Sequence, residues 1–243
     1  MNPLFAALPT AFFQEIGREV YQSLIERHRY EYILIGLQNT LIITVFAVLL
    51  GVLLGAIVAL VKVAHANNPH KLRIANGICT FYLTVIRGTP VVVQLMIMYY
   101  VILSSANLDK IVAAILAFGI NSGAYVAEVI RSGILSVDHG QVEAGRSLGL
   151  SQRTTMIKIV FPQALKNVLP AVGNEFIALL KETSVAGYIG IQDLTKGGDI
   201  IRSITYLAFT PLLTTALVYL VIVIGLTALL TKFERRLRRS DYR

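Results

Sequence analysis

The chain has 243 residues, 55% of them hydrophobic and only 15% charged, with a mean hydropathy of +0.67. That balance excludes an ordinary soluble domain, and the single cysteine, Cys79, excludes an internal disulfide. The net charge of +8 and pI near 9.7 read as membrane-topology signals and anionic-lipid contacts, not as a nucleic-acid surface.

Residues 1–30 do not read as a secretory signal: a basic start is missing, and Glu15 and Arg18 break the apolar stretch. Phe12, Phe13, Ile16, Val20 and Leu24 recur at helical spacing among charges, which predicts an amphipathic helix on the outer membrane surface. From there the membrane domain is placed at 31–232. Tyr32–Val61, Gly88–Leu108, Ile111–Ala127 and Ser203–Thr231 carry no charged residue or histidine, and each is long enough to approach the roughly 20 residues of a helical span. Phe161–Leu180 is a fifth, weaker candidate because it holds Lys166 and Glu175. The expectation is an all-α membrane protein of five transmembrane helices.

Lys62, Lys71, Arg73, Arg131, Arg146, Arg153, Lys158 and the basic tail at 233–243 collect on one side of that five-span arrangement. Under the positive-inside rule that side is cytoplasmic, so the N-terminus is expected outside and the C-terminus inside.

Within the spans, polar residues are the candidates for function, because a polar group in hydrocarbon is costly. Ala47, Gly51, Gly55 and Ala59 form a small-residue stripe along the first span, read as a tight packing face or a sliding surface. Arg87, Thr89 and Gln94 open the second span, with Pro90 between them. Arg87 either turns inward, toward a substrate carboxylate, or snorkels and ties two spans together. Asn121, Tyr125 and Glu128 share one face of the third span, and Asn174 and Glu175 lie mid-way along the fourth. These residues line a pathway or bond between helices; for Glu128 a salt bridge to Arg131 is the competing reading.

The polar loop at about 131–162 is the most informative segment. Asp138 reads as an N-cap, with Gln141 completing a capping box. Gly149 reads as a left-handed stop, Ser151 as the cap of a second short helix, and Pro162 as the end of that pattern. Two short helices joined by a glycine elbow would pass a push into the next span. No glycine-rich phosphate loop precedes a Lys-Ser or Lys-Thr pair, and no catalytic or metal-ligand spacing is evident.

Glu143, Ala144, Gly149, Ile159 and Pro162 stand at the spacings of the cytoplasmic Glu-Ala-Ala motif of permease subunits of binding-protein-dependent ABC importers, which this chain resembles. It departs at Gly145, in place of alanine, and at Phe161, in place of leucine. Arg87-Gly88-Thr89-Pro90 with Gln94, Asn121-Ser122-Gly123-Ala124-Tyr125, and Asn174 through Ser184 look like the signatures of the polar amino acid permeases of that superfamily. The resemblance covers most of the chain from Leu34 to Leu230. It implies the type I importer permease fold, with Glu143, Ala144, Gly145, Ser147, Leu148, Gly149 and Pro162 forming the surface that couples to an ATPase.

It further implies a second permease subunit, identical or similar, two cytoplasmic ATPase subunits, an extracytoplasmic binding protein and a small polar amino acid as cargo. No cofactor is expected on this chain, with ATP and magnesium on the ATPase, and the location implied is the bacterial inner membrane. Two other classes stay open at this stage. An ion-gradient-driven secondary amino acid transporter would lose uptake with the gradient and ignore ATPase loss. A membrane receptor or scaffold would bind a partner without moving solute.

Overall fold

The computed structural model describes residues 14–238, which are almost entirely helical and contain no strand. Residues 14–20 are helical and run into a wide turn at Tyr21–Ile25, and left-handed Arg27 and His28 then redirect the chain. The predicted amphipathic helix is therefore broken near its end, and Phe12 and Phe13 lie outside the described residues. This segment is held by the rest of the molecule: Leu24 packs on Ile33, Leu194 and Ile201, and Thr210 Oγ1 donates to Glu19 Oε2 at 2.6 Å.

Helix α1 (Tyr30–Asn67) is 38 residues long, about 57 Å at 1.5 Å per residue, well beyond a ~30 Å hydrocarbon core. Helices α2 (Arg73–Gly88) and α3 (Val91–Ile97, continued by a wide turn Met98–Ile102) follow, bent from each other by 110°. The uncharged stretch Gly88–Leu108 thus does not correspond to one straight span: its first residues form the break. Pro90 explains it, because proline pushes the preceding residue to extended backbone, and Thr89 sits at φ −124°, ψ 147°.

Helix α4 (Lys110–Leu135) is the central element, the apolar window being 61% buried against 33% for α1. A short helix α5 (His139–Ser147) and a single turn α6 (Gln152–Thr155) precede α7 (Phe161–Glu182). After a tight turn at Thr183–Ile189 come α8 (Leu194–Thr205) and α9 (Phe209–Arg238). The last span therefore begins at Phe209 and not at Ser203, since Ser203–Thr205 completes α8 before left-handed Tyr206 ends it.

Among the described residues three helices, α1, α4 and α9, are each long and apolar enough to cross a membrane, and the bent α2–α3 pair makes a fourth crossing if counted as one. The fifth predicted span, α7, has the length at 22 residues but not the composition. The main core lies where α1, α3, α4, α7 and the Thr183–Ile189 turn meet, around Ile43, Leu95, Phe118, Leu179 and Ile189. Helix α9 stands apart, only 6% buried along its apolar window, with a face open to lipid or another subunit.

The α1 stripe explains the closeness of α1 to α4. A Cβ on Gly51 would stand 2.8 Å from Ser122 Oγ, and one on Gly55 would stand 2.8 Å from the backbone nitrogen of Ala127. With Ala47 and Ala59 fully buried beside them, the stripe is a tight packing face.

Candidate functional site

Two groups of predicted residues occupy different parts of the molecule. The first is the polar loop between α4 and α7. Asp138 caps α5, its Oδ1 accepting from the Gly140 N–H at 2.7 Å. The capping box does not form, because the Gln141 side chain accepts from Gln163 Nε2 at 3.5 Å instead of turning back. Gly149 adopts φ +80°, and the Leu150 N–H closes onto the Gly145 carbonyl at 3.1 Å, a glycine-stopped helix end. Ser151 Oγ then accepts from the Thr154 N–H at 3.2 Å.

Pro162 does not end the pattern. The helix continues from Gln152 into α7 through a wide turn at Met156–Val160, where the Phe161 N–H reaches the Met156 carbonyl. That extra residue in the turn places Pro162 in a new first turn, where its missing N–H breaks no ladder. Instead of two short helices there is one, α5, folded by the elbow against the start of a long helix. Gly145 makes the fold-back possible: it is buried, and a Cβ there would stand 2.9 Å from both Ile159 Cδ1 and Thr155 Cγ2. The rest of the motif faces outward. Glu143, Ala144, Ser147 and Gly149 are exposed, and Leu148 is 81% exposed. Glu143 pairs with His139, at 3.2 Å, on its own helix.

The second group lies within the helices. Gln94 spans the α2–α3 break: its Nε2 donates to the Ile86 carbonyl at 2.7 Å and to Thr89 Oγ1 at 2.7 Å. Gln94 Oε1 accepts from Asn121 Nδ2 at 2.9 Å, so buried Asn121 ties the break to α4. Arg87 is exposed and lies 5.6 Å from the centre of the Tyr125 ring, a cation–π arrangement between α2 and α4. Glu128 pairs with Arg131 one turn on through two hydrogen bonds. Glu175 accepts from Ser122 Oγ at 3.1 Å, while Asn174 on the same helix is exposed. Asn121, Tyr125 and Glu128 therefore each engage a different partner and do not converge on one point.

One feature escaped the sequence reading. Asp193 is fully buried at the start of α8, caps that helix, and lines an open cavity of about 410 Å³ with Lys196 and Asp199. The N-cap spacing of Asp193 before Thr195 and Lys196 was a readable signal. The burial was not, because it comes from α1: the Leu194 N–H donates to Thr40 Oγ1 at 3.1 Å and Asn39 Nδ2 to the Gln192 carbonyl at 2.9 Å.

Residues 51–239 match the family described as binding-protein-dependent transport system inner membrane component. The chain belongs to this family. It is 38% identical over 212 residues to the arginine transport system permease protein ArtQ of Bacillus subtilis (strain 168), covering 86% of this chain and 94% of the relative. It is 39% identical over 168 residues to the glutamine transport system permease protein GlnP of Escherichia coli (strain K12), covering 68% and 77%.

Among solved structures, an amino acid ABC transporter crystallised with histidines superposes with a TM-score of 0.79 at 42% identity, over 87% of this chain and 97% of the other. The inward-facing MetNI methionine ABC transporter superposes at 0.72 and 20% identity, over 85% and 96%, which shows a shared fold. The fold is that of type I ABC importer permeases, as expected, and the chain is a multi-pass inner-membrane transport component, not an enzyme.

Proposed function

We propose that this chain is the membrane subunit through which an ATP-driven importer moves polar amino acids into the cytoplasm by alternating access. The relatives named for arginine and glutamine transport support the class of cargo. The observation that carries the mechanical part is the outward face of α5. Leu148, a large apolar side chain at the C-terminal cap, stands 81% exposed next to Glu143, Ala144 and Ser147 of a short helix clamped to the root of α7. A short helix clamped to the root of α7 passes displacement to the span it is packed on, and its outward residues face a partner without disturbing that packing.

In this reading two copies of a cytoplasmic ATPase, carrying ATP and magnesium, dock on the loops from Glu143 to Pro162 of two permease subunits, identical or similar. The open face of α9 offers apolar surface for such pairing or for lipid. The N-terminus lies outside, the C-terminus inside, and a loaded binding protein docks outside, near the segments after Leu103 and from Thr183 to Arg202. The pathway runs beside Arg87, Thr89, Gln94, Asn121, Tyr125, Glu128, Asn174 and Glu175.

The test is co-purification with the ATPase expressed alongside, comparing wild type with Glu143→Arg and Leu148→Asp, two exposed positions whose substitution spares the fold. Loss of the ATPase from both variants is the expected result. Retention by both removes α5 as the docking surface, and uptake that follows an ion gradient without any ATPase would replace this reading with a secondary transporter.

A further inference from the structure

At the end of the molecule opposite α5, the Thr183–Ile189 turn and the first turn of α8 enclose the open cavity of about 410 Å³, which also reaches Leu212 on α9. That volume lies within the ~300–1,000 Å³ range of small-molecule sites. Asp193 forms part of its wall and is 0% exposed. Its Oδ1 is fully used, accepting from the Thr195 N–H at 2.7 Å and the Lys196 N–H at 3.2 Å. Among the described residues its Oδ2 is enclosed and has no hydrogen-bond partner of good geometry, although the Gly187 backbone is near enough to favour its charge; the space a Gly187 Cβ would fill lies 3.3 Å from Oδ2 and 3.4 Å from Lys196 Cβ. A buried carboxylate oxygen with no donor carries its full desolvation cost. A helix cap needs only one such oxygen, and asparagine or serine would supply it without a charge.

The opposite sign is present in the same cavity. Lys196 Nζ donates to Asp199 Oδ2 at 2.8 Å, and Asp199 Oδ1 also accepts from Arg202 Nη2 at 2.6 Å. One ammonium has three donors, so Lys196 retains two for another acceptor. Ser184 and Tyr188 complete the polar rim, with Tyr188 65% exposed at the mouth.

We propose that this cavity is a receiving site for a free zwitterionic α-amino acid, with the ammonium group on Asp193 Oδ2 and the carboxylate on Lys196. Recognition of this kind needs an anion and a cation side by side; Asp193 Oδ2 lies just behind the cavity wall, beside the Gly187 backbone and the Lys196 stem, so the ammonium reaches it as the Lys196 side chain turns toward the carboxylate. The proposal rests on the import function above and adds a cargo contact outside the helices that line the pathway. It also gives Asp193 a reason to be an aspartate.

The test uses the full chain in lipid nanodiscs, with Cys79→Ala removing the only native thiol and Ser184→Cys reporting on the cavity. The rate of thiol modification is measured with and without L-arginine, L-glutamine, or agmatine, which lacks the carboxylate. Both amino acids are expected to slow the reaction several-fold, and agmatine less. Asp193→Asn keeps the cap and is expected to raise the concentration giving half protection about ten-fold or more, as loss of a buried charged partner does. If that variant does not stay monodisperse, Lys196→Met tests the same site from its open side, and should bring L-arginine down to the level of agmatine. Absence of protection by either amino acid, or protection unchanged in the variant that folds, overturns the proposal. ATPase co-purification on the same preparations separates this failure from failure of the importer reading, because that contact lies at the other end of the molecule.

Discussion

Gly145 lies so close to Thr155 that a methyl group on its Cα would stand 2.9 Å from Thr155 Cγ2. The departure from alanine at this position of the motif is therefore a packing choice. Glycine in a helix costs about 1 kcal/mol relative to alanine, and here it lets α5 press onto the root of α7. Gly145→Ala sets that gain against an overpacking cost of about 1–3 kcal/mol and is expected to be neutral to mildly destabilising. Gly145→Val has no propensity gain of that size and should open the hairpin. Thr155→Ser removes one obstructing methyl while keeping the 3.1 Å bond from Oγ to the Ser151 carbonyl, so it should relieve part of the cost of Gly145→Ala, Ile159 Cδ1 still standing 2.9 Å away. Amide hydrogen exchange across 141–160 reads all three, and unchanged exchange in Gly145→Val would show that the hairpin does not depend on this contact.

Gln94 concentrates more bonds than any other side chain around the α2–α3 break, reaching Ile86, Thr89 and Asn121. Gln94→Leu preserves bulk but strips partners from the Asn121 amide and from carbonyls freed by Pro90. Each buried group left unpaired costs about 1–3 kcal/mol, although interhelical bonds in membranes average nearer 0.6. A drop in unfolding temperature in detergent larger than that of Thr89→Val is the expected outcome. Equal effects would mean that Gln94 does no more than fill space.

Much of this was readable in advance, and the exceptions have physical causes. The uncharged runs from Tyr32 and Ile111 became helices close to where expected, since an 18-residue apolar run has little alternative in a bilayer. The α2–α3 break was hidden because Gly88-Thr89-Pro90 is apolar enough to pass as span interior, while its effect on direction is steric. At Pro162 the error ran the other way: proline stops a regular ladder, but a wide turn resets the register, and no local pattern announces one. The elbow at Gly149 was legible because left-handed backbone has a strong residue preference. Asp193 was not, because its burial is made by contacts with Thr40 and Asn39, more than 150 positions earlier in the chain.

Glu128 and Arg131 satisfy one another within a single turn of α4, each about one-third exposed. A partly exposed pair three residues apart on a helix contributes about 0.2–0.5 kcal/mol. Glu128→Gln is therefore expected to change stability by less than the Gln94 substitution. In reconstituted vesicles with the ATPase and binding protein it should leave the concentration for half-maximal uptake unchanged. A several-fold rise in that concentration would place Glu128 on the substrate instead.

The two aspartates of the outer cavity should respond to pH in opposite directions. Lys196 and then Arg202 hold the Asp199 carboxyl below its ordinary value near 3.9. A depressed folded-state value means the ionised form favours folding, so the contribution is present above pH ~4 and is lost as pH falls through the folded value. With Asp199 34% and Lys196 42% exposed, the pair is worth about 0.2–1 kcal/mol. Burial pushes the Asp193 carboxyl up, outweighing the backbone donors that oppose it. Here the protonated form favours folding, so the benefit is complete below pH ~4 and disappears as pH rises through the raised value. Stability relative to wild type should then move in opposite senses between acid and neutral pH. Asp199→Asn should be most harmful at neutral pH, whereas Asp193→Asn should be most tolerated there in the absence of ligand. Thermal unfolding of both variants across pH 4–7 reads the difference. If Asp193→Asn instead loses most at neutral pH, the ionised carboxylate already has a stabilising counter-charge within the chain, and the cavity needs none from an amino acid.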